Sequence, residues 1–410
     1  MTDLLIIGAG PAGIAAAVTA AEQGASVTVI DDNHAPGGQI WRGEFHGKPW
    51  YDRFQKVKLN IISDARVIAV HGNAVVIEQG AAARTIHWNK VILATGAREL
   101  FLPFPGWTLP GVTGVGGLQA LVKSGLVIRN KRVAVAGSGP LLLAAAAYLR
   151  AKGADLVMIA EQVPTAALMR FGMELRKHPK KLKQAAALQL QLLGVPYVRD
   201  CYVEHATGKG KLETLQFRQG SKTFTEEVDY AAIAYGFTPE TELAAAFGCE
   251  ILAHGVWVDK RQQTSIQNVY CAGESTGIGG VDVALLEGEL AGLAACRKPT
   301  KHLLPLLARE QHFASLLNQT FSPRPGLKHL CTADTIVCRC EDVTYQVLRQ
   351  QPDSRTAKLQ TRCGMGPCQG RICGPANTFL FGWEQGSVRP PILPARMATL
   401  ALSMTQETSS

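Results

Sequence analysis

The chain has no window of about 18 uninterrupted apolar residues. Its two alanine-rich stretches, Ala15 to Ala21 and Leu141 to Leu149, are short, which argues against a membrane span. Met1-Thr2-Asp3 runs directly into Leu4 to Ile7 with neither a basic n-region nor a small-residue cleavage site, so no secretory signal is expected. The expected location is the cytoplasm, with any membrane association peripheral or through a partner. Cysteine is absent from residues 1–130, and no Cys-x-x-Cys pair occurs in the chain. Aromatic interleaving is also missing from the basic run Arg170 to Lys183, apart from Phe171. With no recognisable nucleic-acid module, the formal charge of +9 reads as a solvated helix face, with an acidic partner as the second reading. No nucleic-acid partner is expected.

What is present is enough for several cores. A chain of 410 residues with 47% hydrophobic content can bury two or three, and nothing in it signals disorder, collagen or coiled coil. Half of the ten cysteines lie between Cys338 and Cys373. That clustering suits ligands in a reducing compartment better than a disulfide framework.

The first chemical signal is Gly8-Ala9-Gly10-Pro11-Ala12-Gly13, between an apolar strand, Leu4 to Ile7, and a helix, Ile14 to Gln23. A second strand, Ser26 to Ile30, ends in Asp31. This is the dinucleotide-binding fingerprint in its proper context. Gly8 allows the tight turn, Gly10 the approach of a pyrophosphate and Gly13 the packing of helix on strand, while the helix N-terminus favours phosphate charge. Asp31 stands at the distance expected of a ribose acceptor. Lys90 to Thr95 returns to the sheet and ends in small residues, Ala94-Thr95-Gly96, as a strand meeting a cofactor must. Later, Gly273-Glu274 precedes Gly279-Gly280-Val281, which opens another helix. The positive end of that helix would stabilise a negative charge placed against it by about 1 kcal/mol.

These three elements resemble those of two-dinucleotide-domain flavoproteins and point to FAD rather than NAD at the first site. In that family an Asp after the late glycine binds the ribityl chain, and Glu274 takes its place here. Gly37-Gly38-Gln39-Ile40-Trp41-Arg42 resembles the loop that passes the flavin in the thioredoxin-reductase branch. The expected cofactor set is Gly8, Gly10, Pro11, Ala12, Gly13, Asp31, Asp32, Gly38, Gln39, Arg42, Val67, Ala94, Thr95, Gly96, Gly273, Glu274, Gly280 and Val281. No catalytic residue can be named. Disulfide reductases of this architecture place two cysteines beside the flavin; Cys201 and Cys249 are isolated, so a thiol-disulfide reductase is not expected. Lone Cys271 and Cys296 read as space-filling thiols.

A second nucleotide-type unit interrupts the first. Arg132 to Ala136 reads as a strand, Gly137-Ser138-Gly139-Pro140 as a turn, Leu141 to Lys152 as a helix and Asp155 to Ile159 as a strand, with Glu161 just beyond. Leu142 replaces the third glycine, which would disturb the approach of a pyrophosphate, so NAD(P) binding is not expected here.

Near the C-terminus stand Cys338-Arg339-Cys340 and Cys363-Gly-Met-Gly-Pro-Cys368-Gln-Gly-Arg-Ile-Cys373. Thiolates are soft donors for iron-sulfur clusters or zinc, and four close either site. Cys338, Cys340, Cys368 and Cys373 are the preferred set and Cys363 a fifth candidate, so one of the three downstream sulfurs is in excess. Helices are expected over Val343 to Gln350 and Gly374 to Phe381. Zinc is the alternative, although Cys-x-Cys is less usual for it than Cys-x-x-Cys.

Cys338-Arg-Cys340-Glu341 with Thr361 to Cys373 resembles the bacterioferritin-associated-ferredoxin (BFD) type of 2Fe-2S domain found in glycerol-3-phosphate dehydrogenase subunits. Joined to the FAD elements, it makes the chain similar to α subunits of heteromeric flavin dehydrogenases: D-hydroxyproline dehydrogenase, octopine and nopaline oxidases, and hydrogen cyanide synthase. The resemblance implies an α/β, two-dinucleotide-binding-domain flavoprotein with a small C-terminal helical BFD-like iron-sulfur domain. It implies FAD and a 2Fe-2S cluster in this chain and a β subunit with its own FAD that oxidises the C–N bond of an amino acid or opine. It also implies a small 2Fe-2S γ subunit in some complexes, an FMN that can lie between α and β, and relay of electrons to a respiratory acceptor. D-Hydroxyproline is the preferred substrate. A stand-alone NAD(P)H-dependent reductase feeding a ferredoxin-like acceptor is the alternative. The expected divisions are a discontinuous FAD domain at 1–105 and 235–300, a central nucleotide-fold domain at 106–234, a linker at 301–330, the iron-sulfur domain at 331–385 and a proline-interrupted tail at 386–410, suited to an extended arm on a partner.

Overall fold

Leu4 to Ile7, all leucine or isoleucine, set the first strand, and both of its faces are covered along that run. In the computed structural model, which describes residues 2–43, 45–384 and 388–401, β1 is Thr2–Ile7. Leu4 and Ile6 pack with the alanines of α1 (Pro11–Glu22), while Leu5 and Ile7 pack with Ile30, Val67 and Ile77 on the other face. A strand buried on both sides reads as a continuous apolar run, as parallel strands do. The remaining strands of this sheet are β2 (Val27–Ile30), β3 (Asn60–Ile62), β4 (Ala65–His71), β5 (Ala74–Gln79) and β6 (Ala82–Leu93). Their order is β3-β2-β1-β6-β5-β4, and the strand Val269–Cys271 also pairs with β6. The far half of β6 runs parallel to β1, and its near half is antiparallel to β5. One strand therefore joins a nucleotide-type sheet to a β-meander.

The chain divides into two compact units. The first comprises Met1–Arg98, Thr238–Ser315 and Ser387–Ser410; the second comprises Glu99–Phe237 and Leu316–Gly386. In the first, α1 lies directly on the helix Val281–Ala295 because small residues face one another. A Cβ on Gly288 would stand 2.1 Å from the Ala12 carbonyl oxygen, and one on Gly292 would stand 2.7 Å from that of Ala16. Neither helix tolerates bulk there.

The expected arm lies partly against its own unit. Ile392 is buried and its N–H donates to the Ile68 carbonyl at 2.8 Å; the Thr399 hydroxyl and the Arg396 N–H donate to Glu78 at 2.6 and 2.9 Å. Residues 402–410 fall outside the described part. Much of the segment read as a linker is helix, Leu304–Phe321.

The second unit carries a five-stranded parallel sheet in the order Tyr197–Arg199, Asp155–Glu161, Arg132–Gly137, Tyr230–Ala234 and Val112–Gly114. A three-stranded antiparallel sheet, Cys201–Thr207 to Lys222–Glu227, adds Val203 and Phe217 to a core shared with Phe104 and Tyr235. Residues 331–384 form a small lobe of this unit. It holds the strand pair Ile336–Cys338 and Val343–Thr344 and the helices Tyr345–Leu348, Ser354–Thr361 and Cys373–Phe381. The helix expected over Val343 to Gln350 is thus only one turn. Val343 and Thr344 are drawn into the strand pair, and the next helix starts afresh where Asp353 accepts from the Thr356 N–H at 2.7 Å. The lobe is fixed to its unit by Trp107, whose indole N–H donates to the Ile336 carbonyl at 2.5 Å, and by Leu327, buried in the core of the unit.

Phe104 is fully buried in that core. Phe104→Ala is expected to destabilise the second unit by about 3–5 kcal/mol, read as an earlier midpoint in chemical denaturation.

Candidate functional site

Two sites emerge, one in each unit. The first is built on the loop after β1. A Cβ on Gly8 would stand 2.2 Å from the Ala94 carbonyl oxygen, and one on Gly13 would stand 1.8 Å from that of Gly8. Those two glycines are demanded by the protein itself. Gly10 is different: a Cβ there would meet no atom within 4 Å. Its small size serves something other than packing, which is what a fingerprint glycine facing a pyrophosphate should show. The residues therefore fit a dinucleotide at this point.

Around that space the expected residues gather. Asp31 is buried and accepts from the Ala9 N–H and, at 2.7 and 2.8 Å, from the backbone and side-chain nitrogens of Asn33. Arg42 donates to Asn33 Oδ1 at 2.6 Å, so the Gly37–Arg42 loop is tied to the acid at the end of β2. Gly38 lies over Gly10, where a Cβ would stand 2.9 Å from the Gly10 Cα. Pro11 opens α1 and Ala12 is buried beneath Gly273. Asp32 and Gln39 are exposed beside the loop. Although Asp32 reaches the surface, partial desolvation by the surrounding loop, then the charge of Asp31, raises its carboxyl. Val67 stands apart: its side chain belongs to the core with Ile7 and Ile30, which leaves only its main chain for a ligand.

The far side of the site is assembled by side chains that motif reading missed. Thr95 and Gly96 are held by Ser275, whose hydroxyl lies 3.0 Å from Thr95 Oγ1 and accepts from the Gly96 N–H at 2.9 Å. Glu274 accepts from the Gly280 N–H at 2.7 Å, so it caps the loop that starts the helix at Val281. Burial raises its carboxyl, and the N–H groups of Gly280 and Gly279 oppose that. Val281 packs with Trp41 and Ile14. Glu287, 3% exposed, accepts from the Gly273 N–H at 2.9 Å and the Thr276 hydroxyl at 2.8 Å, fixing the Gly273 turn. Burial pushes it up to about 7. Arg98 lies between Glu240 and Glu242, each at 2.7 Å. Nothing local in the sequence announced Ser275, Glu287 or Arg98.

The second site is the cysteine lobe. The sulfurs of Cys338, Cys363 and Cys373 lie within 4.8 Å of one another, all buried, and the Cys363 and Cys373 sulfurs are 3.9 Å apart. Cys368 and Cys340 adjoin them toward the surface, and hydrogen bonding between sulfurs links Cys340 to Cys368 and Cys368 to Cys373. Hydrogen bonds from the thiols of Cys363 and Cys373 hold Cys338 low, and one from Cys373 lowers Cys368. Cys373 is pushed far up by the same contacts, first that with Cys338. The donor set is sulfur alone, which fits an iron-sulfur cluster or structural zinc. Cys363 is the fifth sulfur, and the Asn377 amide nitrogen lies 3.5 Å from it. Cys201 and Cys271 are buried elsewhere, and burial raises both thiols.

A parallel sheet with a glycine-rich first turn, interrupted by a second such sheet, defines a two-dinucleotide-domain oxidoreductase of the FAD-binding type. Residues 2–288 match the family described as pyridine nucleotide-disulphide oxidoreductase, whose members bind FAD. An opine oxidase subunit of Rhizobium meliloti (strain 1021) is 33% identical over 97% of this chain and 98% of its own length. The HcnB subunit of hydrogen cyanide synthase from Pseudomonas aeruginosa is 30% identical, with 90% of each chain covered. The crystal structure of L-proline dehydrogenase from P. horikoshii shares the fold, with a TM-score of 0.71 at 21% identity over 97% of this chain and 79% of that one. The chain belongs to the pyridine nucleotide-disulphide oxidoreductases and, within them, to the family of these opine oxidase and HcnB subunits. Among the described residues no helix is long and apolar enough to cross a membrane.

Gly10→Ala and Gly13→Ala separate ligand space from packing. Gly10→Ala is expected to leave the thermal midpoint of the FAD-free protein in place and to weaken FAD by about tenfold or more, roughly 1.4 kcal/mol; Gly13→Ala lowers that midpoint as well. Glu287 has a folded pKa above its unfolded value, so the native state binds the extra proton. Stability then falls as pH rises from about 4.5 to about 7 and levels off above. Glu287→Gln should flatten that part of the profile, read as thermal midpoints at pH 5 and pH 8.

Proposed function

We propose that this chain is the electron-transferring α subunit of a heteromeric flavin dehydrogenase, carrying FAD in the first unit and a 2Fe-2S cluster on the cysteine lobe. The observation that carries the proposal is the five-sulfur lobe on a chain whose FAD loop keeps open space at Gly10. A flavin exchanges electrons in pairs or singly, and a cluster accepts them only singly, so the two together suit relay. Cys338, Cys340, Cys368 and Cys373 are proposed as ligands, with Cys363 beside them. In the flavin site Asp31 receives the ribose hydroxyls, the α1 N-terminus faces the pyrophosphate, and Glu274 and the helix starting at Val281 address the ribityl and ring end.

Substrate oxidation belongs to a partner β subunit with its own FAD. The substrate class is an amino acid or opine oxidised at its C–N bond, with D-hydroxyproline preferred. This rests on the full-length likeness to subunits named for opine oxidase and hydrogen cyanide synthase. The assembly is completed by a small 2Fe-2S γ subunit, with an FMN at the α–β contact, and a respiratory acceptor at the inner membrane takes the electrons.

The test is co-purification with the neighbouring subunits, then dye reduction with D-hydroxyproline, octopine and glycine. The proposal expects turnover by the complex with one of the first two, none by this chain alone, and no bleaching of this chain's visible absorbance by NADH. Rapid bleaching by NADH would instead favour the stand-alone reductase.

A further inference from the structure

The second glycine-rich loop has the frame of a nucleotide site but not its space. Gly139 occupies the place that Gly10 holds in the first unit, and the same steric probe gives the opposite answer. A Cβ on Gly139 would stand 3.6 Å from Cβ and Cγ of Phe321, whereas one on Gly10 meets nothing within 4 Å. The position over which a pyrophosphate passes is covered by the chain's own phenylalanine.

Backbone partners follow the ring. The Ser138 hydroxyl, one residue before Gly139, donates to the Phe321 carbonyl at 2.8 Å. Gln162 clasps the next residues with both ends of its amide: Nε2 donates to the Ser322 carbonyl at 2.8 Å, and Oε1 accepts from the Arg324 N–H at 2.9 Å. Arg324 then reaches Asp200 at 2.6 Å and lies 5.1 Å from the ring of Tyr202. Phe171 stands edge-on to Phe321 with centroids 5.1 Å apart. The Gly139 N–H is also spent. Glu161, 1% exposed, accepts from the N–H groups of Gly139 at 2.8 Å and Val163 at 3.0 Å. Leu142, the missing third glycine, is fully buried in the core of this unit, so the helix carries a packing residue where close approach was needed.

We infer that the second dinucleotide loop binds the segment Phe321–Arg324 of its own chain in place of a pyridine nucleotide, as a clasp that anchors the cysteine lobe. The segment leads directly into Leu327, which is buried in the unit's core, and then into the strand Ile336–Cys338, whose last residue bears one of the lobe's sulfurs. A nucleotide-recognition surface has thereby become a peptide-recognition surface. It offers hydroxyl and amide groups to main-chain atoms, an aromatic partner to a ring and a carboxylate to a guanidinium. Its consequence is that NADH has no place at which to deliver hydride through this unit. The inference stands independently of which substrate a partner oxidises.

Hydrogen exchange read by mass spectrometry on the full FAD-loaded chain tests it. Residue 323 is proline and the Arg324 N–H is the one that Gln162 accepts, so the Arg324 amide is expected to be protected in the wild type and to exchange about tenfold faster in Gln162→Ala. FAD absorbance serves as the check that this variant is folded. Phe321→Ala, made separately, should loosen the same peptide and the 137–142 loop together. Millimolar NADH or NADPH should change neither segment in the wild type. An unprotected Arg324 amide in the wild type would overturn the inference, as would protection of 137–142 by NADH with release of 321–324.

Discussion

The carbonyl oxygen of Ala94 occupies the place that a side chain on Gly8 would need, and the carbonyl oxygen of Gly8 occupies the place that one on Gly13 would need. This three-way approach of strand, loop and helix sets the first unit. It lets α1 descend onto the sheet, which brings Ala12 and Ala16 against Gly288 and Gly292 and so seats the helix Val281–Ala295. It also leaves Gly10 standing over free space with the Asp31 carboxylate behind it. Packing that close cannot relax around an added methyl group, because the obstructing atoms are backbone.

The same loop design appears twice in the chain with different outcomes. In the second unit Gly137 still makes the close approach, with a Cβ there only 1.8 Å from the Ala234 carbonyl oxygen, so the sheet and turn persist. What changed is the third glycine and the surface above the second. Leu142 fills core, and Phe321 covers Gly139. A fold can therefore keep its nucleotide-binding frame while the binding surface is given to a segment of chain, since frame and surface depend on different residues.

The first fingerprint was legible because its signal is local: Gly8, Gly10, Gly13 and Asp31 lie within one strand-helix-strand span and the structure gathers them at one point. The cysteine lobe was legible for the same reason, since its thiols fall in two short segments. Ser275, Glu287 and Phe321 were not. Their work consists of single hydrogen bonds or ring contacts with residues far along the chain, and a serine or phenylalanine so used has no distinguishing spacing. Phe321 meets Ser138 across 183 positions. The one-turn helix at Tyr345 shows the converse, where strand pairing with Ile336–Cys338 overrides a plausible local helix.

The central claim is that FAD and a 2Fe-2S cluster share this chain, with the cluster held by the thiols of residues 338–373. The most direct measurement is an anaerobic reductive titration of the chain, purified with its native cofactors, followed by electron paramagnetic resonance. The account predicts a reduced 2Fe-2S signal of about one spin per FAD, absent when Cys338 and Cys373 are both replaced by Ser and with FAD retained in that variant. A fully reduced protein that holds zinc at these thiols and gives no cluster signal would contradict it.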